Sequence, residues 1–137
     1  MGARVFADTS ALVALVHRRD QAHQRALSLG QRHVREGGSF VSTMFVLAEL
    51  HRHVLHRRGP NEARFAVTGL LADRAYHWRE VTEGLVRTAV VAWLERFDDQ
   101  RFSLTDAVSF EVMRREGLTT AFAFDRDFVT AGFRLLR

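Results

Sequence analysis

The sequence predicts an α/β fold, a mainly parallel sheet covered on both faces by helices. Three observations lead there. Short apolar segments alternate with longer stretches whose apolar residues recur at helical spacing. The short segments are apolar throughout, without the alternation of a half-exposed strand, so the sheet they form is buried on both faces. The turn-formers punctuate the chain without gathering into a linker: Gly37-Gly38 marks one break, and the only proline, Pro60, stands in Arg58-Gly59-Pro60-Asn61 between two helices.

Taken in order, Arg4 to Ala7 is a short strand that ends at Asp8. Thr9 or Ser10 opens a helix to about His17, and a second runs from about Asp20 to Arg35 with a weak stripe of Ala22, Ala26, Leu29 and Val34. Ser39 to Ser42 is a buried strand. Ser42 or Thr43 caps the next helix, which carries Phe45, Val46, Ala48, Glu49, Leu50 and Val54. Pro60 sits in the first turn of a helix extending to about Ala72. Tyr76 to Val81 is a third strand. Thr82 caps a helix through Phe97, with Leu85, Val86, Ala89, Val90, Trp93 and Leu94 along one face. Asp98 to Phe102 is a loop. Ser103 or Thr105 starts a helix that Gly117 ends. Ala121 to Phe124 is a strand, and Phe133 to Leu136 a last short one.

The 137 residues suffice for one domain, 1–137, and not for two. With 47% apolar and 26% charged residues the composition is that of a soluble globular protein. No apolar run approaches the roughly 18 residues of a membrane span. The run Ala11 to Val16 is too short for a signal peptide, so the expected location is the cytoplasm. Cysteine is absent, which leaves oxygen and histidine nitrogen as metal ligands. All 20 basic residues are arginine and the net charge is +4. That favours polyanions, since the guanidinium fork suits phosphate, although a genomic preference for arginine codons is the plainer explanation of the bias.

Four acids stand apart from the polar company that the others keep. Asp8 follows Val5-Phe6-Ala7 and Asp125 follows Ala121-Phe122-Ala123-Phe124, each at the carboxyl end of a strand. Two such ends converge if the strands are neighbours. Asp106 lies at a helix start, where the macrodipole favours its ionised form. Glu49 sits in mid-helix beside the apolar face. Half-buried carboxylates repel one another, and a hard divalent cation such as Mg²⁺ or Mn²⁺ relieves the repulsion. Each acid also has a plain structural explanation. Asp8 and Asp106 could only cap helices, Glu49 could pair with an arginine or His53, and Asp125 could close a turn.

Other groups carry less. His51, His53 and His56 point to different helix faces among arginines and read as a solvated face. Asp98-Asp99 reads as a solvated loop. Glu111 and Glu116 flank arginines on an expected exposed face, in surface pairs. Trp78 and Trp93 read as core. The phosphate-binding glycine motifs and the Gly-x-Ser-x-Gly nucleophile elbow are absent. A phosphatase with Asp8 as nucleophile would want a second acid two positions on, where this chain has Ser10.

Val5-Phe6-Ala7-Asp8-Thr9-Ser10-Ala11-Leu12 resembles the N-terminal acidic segment of PIN domains, and Ser42 to Leu50 the second, with Glu49. Ser103-Leu104-Thr105-Asp106-Ala107-Val108-Ser109-Phe110 resembles the third, and Phe124-Asp125-Arg126-Asp127-Phe128 the last. The resemblance covers about the whole chain and is nearest to the VapC-like toxins of bacterial toxin–antitoxin pairs. It implies an α/β/α sandwich and Mg²⁺- or Mn²⁺-dependent endonucleolytic cleavage of RNA, leaving a 5′-phosphate and a 3′-hydroxyl. It implies Asp8, Glu49, Asp106 and Asp125 as the catalytic, metal-holding acids, with Thr9, Ser10 and Thr105 as auxiliaries. It further implies a homodimer and an antitoxin partner that blocks the site. Many relatives carry histidine where this chain has Asp127, so Asp125 and Asp127 both stand as candidates for the fourth acid. A PIN-like module that binds RNA or protein without cutting is the alternative.

Overall fold

Arg4–Ala7 forms β1 and runs directly into α1, Thr9–Val16, in a computed structural model that describes residues 2–137. α2 (His23–Arg35) leads to β2 (Ser39–Thr43), and α3 (Met44–Arg58) with α4 (Pro60–Ala72) leads to β3 (Tyr76–Arg79). α5 (Glu83–Ala89), continued by a π-helical segment (Val90–Glu95), and α6 (Leu104–Glu116) lead to β4 (Thr120–Phe122). The four-residue α7 (Asp127–Thr130) leads to β5 (Arg134–Leu135).

The five strands form one sheet in the order β3-β2-β1-β4-β5, with every neighbouring pair parallel. The chain builds outward from β1 through β2 to β3, then returns to the other side of β1 for β4 and β5. The order therefore reverses between β1 and β4, registered as Phe6 to Ala121 and Ala7 to Phe122. The carboxyl ends of two parallel strands at such a reversal flank the crevice in which open α/β sheets bind ligands.

The three layers follow from side-chain alternation along the strands. Phe40 of β2 and Phe122 of β4 share one face, with ring centroids 5.4 Å apart. α2 covers that face: His33 lies 4.9 Å from Phe40, and a methyl added to Gly30 would touch the Phe122 ring. Phe6 points to the opposite face, where it meets Phe128 at 6.2 Å, and Phe128 meets Phe110 of α6 edge-on at 5.0 Å. Trp93, Phe102 and Phe133 pack around Phe110. Val5, Phe6 and Ala7 are all buried, which is why β1 reads as an apolar run, while β2 buries Phe40 and Val41 together with the hydroxyl residues Ser42 and Thr43.

Several boundaries differ from the sequence-based expectation. α2 begins at His23, because the Asp20 carboxylate accepts from the Ala22 N–H at 2.8 Å and closes a turn where a helix was expected. β3 ends at Arg79 and β4 at Phe122, since the Phe124 N–H leaves the sheet for the Ser10 hydroxyl. The last strand is only Arg134–Leu135. α7 is too short to leave a periodic signal and was not expected. Among the described residues no helix is long and apolar enough to cross a membrane.

Candidate active site

Asp8 stands at the turn from β1 into α1. Its N–H donates to the Phe122 carbonyl at 3.0 Å, which ties it to the neighbouring strand end. Its Oδ2 accepts from the Ser10 N–H at 3.2 Å and from the Ser10 hydroxyl at 2.7 Å, so Asp8 caps α1. The Ser10 oxygen also accepts from the Phe124 N–H at 3.0 Å. An N–H can only donate, so the Ser10 proton is committed to Asp8. One half-buried hydroxyl thus links the first acid to the segment that carries Asp125. Below it the Ser42 hydroxyl donates to the Ala7 carbonyl at 2.7 Å.

Asp106 enters from α6 as half of a capping box. The Ser103 hydroxyl accepts from the Asp106 N–H at 3.0 Å, and the Asp106 Oδ2 accepts from the Ser103 N–H at 3.1 Å. Asp125, after β4, accepts from the Asp127 N–H through Oδ1 at 2.9 Å, a turn that starts α7. Carboxylate oxygens of Asp106, Asp125 and Asp127 all lie within 4.8 Å of one another.

The expected residues therefore divide. Asp106 and Asp125 come together and bring Asp127 with them. Asp8 is buried outside that group of three, near enough for the Asp106 charge to bear on it. Glu49 does not have the half-burial expected of it; it is exposed on α3 and outside the group. A mid-helix residue can border the apolar face without being covered, because only some 100° of the helix circumference faces the core. Thr9 is buried beside Asp8, and its hydroxyl is the only buried side-chain polar atom among the described residues without a hydrogen-bond partner. Thr105 is half-buried, its carbonyl accepting from the Ser109 hydroxyl at 2.8 Å.

Electrostatics follow the burial. Desolvation pushes the Asp8 carboxyl up to about 7; the two hydrogen bonds from Ser10 oppose the rise and the Asp106 charge adds to it. Desolvation likewise lifts Asp106 to about 6, against the Ser103 N–H and with the help of Asp125 and Asp127. The helix N-terminus alone predicts an easily ionised Asp106, but burial and neighbouring acids outweigh the dipole. Asp127 is raised by burial and by Asp125.

This donor set fits a hard divalent cation. All the donors are oxygens. In Asp8, Asp106 and Asp125 one carboxylate oxygen is held by a local N–H, which leaves the other free to bind singly. Single-oxygen ligation suits the compact octahedron of Mg²⁺ or Mn²⁺ better than the larger, often bidentate shell of Ca²⁺. Carboxyls that resist ionising are also what a tight acidic group should show before a cation balances it.

Three features stand apart from the clustered acids. Glu111 was expected on an exposed face; it is fully buried, accepting from the Trp93 Nε1–H at 3.1 Å and from Arg114 and Arg115. Burial would raise its pKa, but those bonds outweigh it and hold the carboxyl down at about 2. Glu116 is half-buried and joins Arg79 at 2.7 Å to Arg4 at 3.0 Å. A groove of about 880 Å³ opens between α1, α3 and α4, lined by His53, Arg57, Phe65 and Leu70 among others. It contains none of the clustered acids, and cavity size does not outweigh their chemistry.

The Ser10–Phe124 link and the Ser103 partner of Asp106 were not foreseen. The second was within reach, because Ser103 and Asp106 have the spacing of a capping box. The first joins residues 114 positions apart and leaves no local trace.

Comparison with known proteins agrees with this geometry. The PIN domain family matches residues 5–134. The 23S rRNA-specific endonuclease VapC20 of Mycobacterium tuberculosis, from strains CDC 1551 / Oshkosh and ATCC 25618 / H37Rv, is 34% identical over 129 residues, or 94% of this chain and 95% of the relative. The crystal structure of that VapC20, described as a sarcin–ricin loop cleaving toxin, superposes with a TM-score of 0.84 at 33% identity, covering 94% of this chain and 95% of the other. VapBC2 of Rickettsia felis, solved bound to a DNA fragment from their promoter, has a TM-score of 0.68 at 13% identity over 96% of both chains and shows the fold alone. Five parallel strands reversing at β1 and β4, acids at both strand ends, and these matches over nearly the full length lead to one conclusion: the chain belongs to the PIN domain family of nucleases.

Proposed function

We propose that the protein is a divalent-cation-dependent endoribonuclease, the toxin of a toxin–antitoxin pair. The observation that carries this reading is the convergence of Asp106, Asp125 and Asp127 within 4.8 Å, beside buried Asp8, at the β1/β4 reversal. Asp8, Asp106 and Asp125 would hold Mg²⁺ or Mn²⁺, each through its free oxygen. Asp127 adds a fourth carboxylate to the same pocket. Glu49 stays in the proposal as an acid on the solvent side.

A bound cation supplies Lewis-acid stabilisation of a phosphoryl oxygen and lowers the pKa of water. The remaining work belongs to the chain. Ser10 and Ser103 fix the carboxylates of Asp8 and Asp106, so the site is arranged before substrate arrives. The Thr9 hydroxyl is buried beside Asp8 and left without a hydrogen-bond partner among the described residues.

The likeness to VapC20 makes 23S rRNA the first substrate to test, and a cytoplasmic location follows from that substrate. A homodimer and an antitoxin partner also belong to the proposal. Exposed apolar side chains such as Phe65 and Leu71 on α4, 81% and 53% accessible, are surface that such contacts would cover. The test is incubation of deproteinised ribosomal RNA with the purified protein in Mg²⁺, in Mn²⁺ and in EDTA, mapping new 5′ ends. Discrete, metal-dependent cuts are expected. Folded, antitoxin-free protein that binds the RNA without cutting in either metal would favour the binding-only module.

A further inference from the structure

Two arginines at the acid-bearing edge of the sheet have no partner among the described residues. Arg126 lies between Asp125 and Asp127. It is exposed, and its side chain forms no ion pair or hydrogen bond with any described residue, although a carboxylate stands on either side. The carboxylates of Asp125 and Asp127 turn toward Asp106. A guanidinium that followed them would neutralise the acids and compete with a cation, and Arg126 does not. Arg101 stands in the exposed loop before the Ser103 cap of α6, five residues ahead of Asp106, and is equally unpaired. By contrast, Arg79, at the carboxyl end of β3, is engaged by Glu116. Exposed arginines beside repelling acids, left unpaired, are suited to an anion from outside, and the guanidinium fork matches phosphate.

We propose that Arg101 and Arg126 form a phosphate-binding pair that holds the RNA backbone beside the acidic pocket, one nucleotide phosphate to each. This rests on the ribonuclease reading and names the residues by which that site takes its substrate. The pair positions RNA without touching the reacting phosphate, which belongs to the acids and their cation. It carries no sequence information, because backbone contacts set register while bases set specificity.

The experiment measures binding of a fluorescein-labelled single-stranded oligoribonucleotide against NaCl concentration by anisotropy, in the non-cutting Asp106→Asn background. Removing one arginine that neutralises a phosphate of single-stranded RNA should flatten the dependence of log affinity on log salt by about 0.7. Arg126→Ala and Arg101→Ala should each do so and weaken binding several-fold at low salt. The double variant should flatten the slope by about twice as much. Arg126→Lys should keep the slope, because the charge remains. Arg35→Ala, exposed at the end of α2 that leads into the start of β2 and so toward the opposite end of the sheet, should change neither quantity. With Asp106 intact, Arg126→Ala should raise KM for cleavage and leave Mn²⁺ affinity unchanged by calorimetry. Salt slopes of both alanine variants equal to that of their parent, in a protein that cuts RNA, would overturn the pair and leave the ribonuclease standing. A protein that neither cuts RNA nor binds it in a salt-dependent way would overturn both.

Discussion

At the scale of single residues the site depends on a few short hydrogen bonds that leave each acid one free oxygen. Removing a free oxygen should stop the chemistry. Asp106→Asn keeps the Ser103 bonding pattern and should lower RNA cleavage more than about 100-fold with far-ultraviolet circular dichroism unchanged. Ser10→Ala removes the hydroxyl bond to Asp8 and the acceptor of the Phe124 N–H, leaving Asp8 only the residue 10 backbone N–H, and should weaken Mn²⁺ binding by about 10-fold in calorimetry. Ser10→Thr, which keeps the hydroxyl, should recover most of it, and an alanine variant that binds like wild type would leave Ser10 no part in holding the metal. The raised acids also make stability depend on pH. Asp8 near 7 and Asp106 near 6 bind a proton more tightly folded than at the ordinary value of 3.8. They favour the fold fully below about pH 4, and that contribution is lost as pH rises through about 6 and 7. In EDTA the melting temperature should therefore fall between about pH 4.5 and 7.5, and Mg²⁺ should raise it more at the upper end of that window. A metal-free melting temperature that climbs across the same window would contradict the burial of these acids.

At the scale of elements the helices are fixed at their ends. Asp8, Thr43, Thr82 and Ser103 cap α1, α3, α5 and α6, and Gly117, at φ 66°, closes α6. Those caps are short-range events, so the helix starts could be read from the sequence. So could β1, whose apolar run Val5-Phe6-Ala7 announces burial on both faces, and β2, whose Phe40-Val41 pair follows the Gly37-Gly38 break. What depends on distant partners could not be read. The early end of β4 depends on Ser10, the start of α2 on a turn closed by Asp20, and the exposure of Glu49 on which part of α3 the other helices cover. Glu111 shows the same limit. Its arginine neighbours on α6 were legible, but its burial depends on Trp93 in the π-helical segment. Glu111→Ala should destabilise the protein by about 2 kcal/mol in urea unfolding, because it leaves the Trp93 Nε1–H without its acceptor and a gap where the side chain packed, and should not change Mn²⁺ affinity. A loss under about 0.5 kcal/mol would mean that this carboxylate is solvated after all.

At the scale of the whole molecule the function follows from topology. Two acids separated by 117 positions stand at the same edge of the sheet because β1 and β4 are neighbours and the strand order reverses between them. The sequence pattern supplied the acids at strand ends, and the resemblance supplied their family. The register of Ala7 against Phe122 is what brings Asp8 and Asp125 to the same edge. Asp127 joins because α7 turns it back toward Asp106, an arrangement that no spacing rule distinguished from a solvated turn. The most direct test of the central claim, that these acids hold the cation used to cut RNA, is the rate of ribosomal RNA cleavage measured against Mg²⁺ concentration for wild type and Asp106→Asn side by side. A saturable, EDTA-sensitive rate is expected for wild type, and none for the variant at any Mg²⁺ concentration. Equal rates in the two proteins, or a wild-type rate indifferent to EDTA, would contradict it.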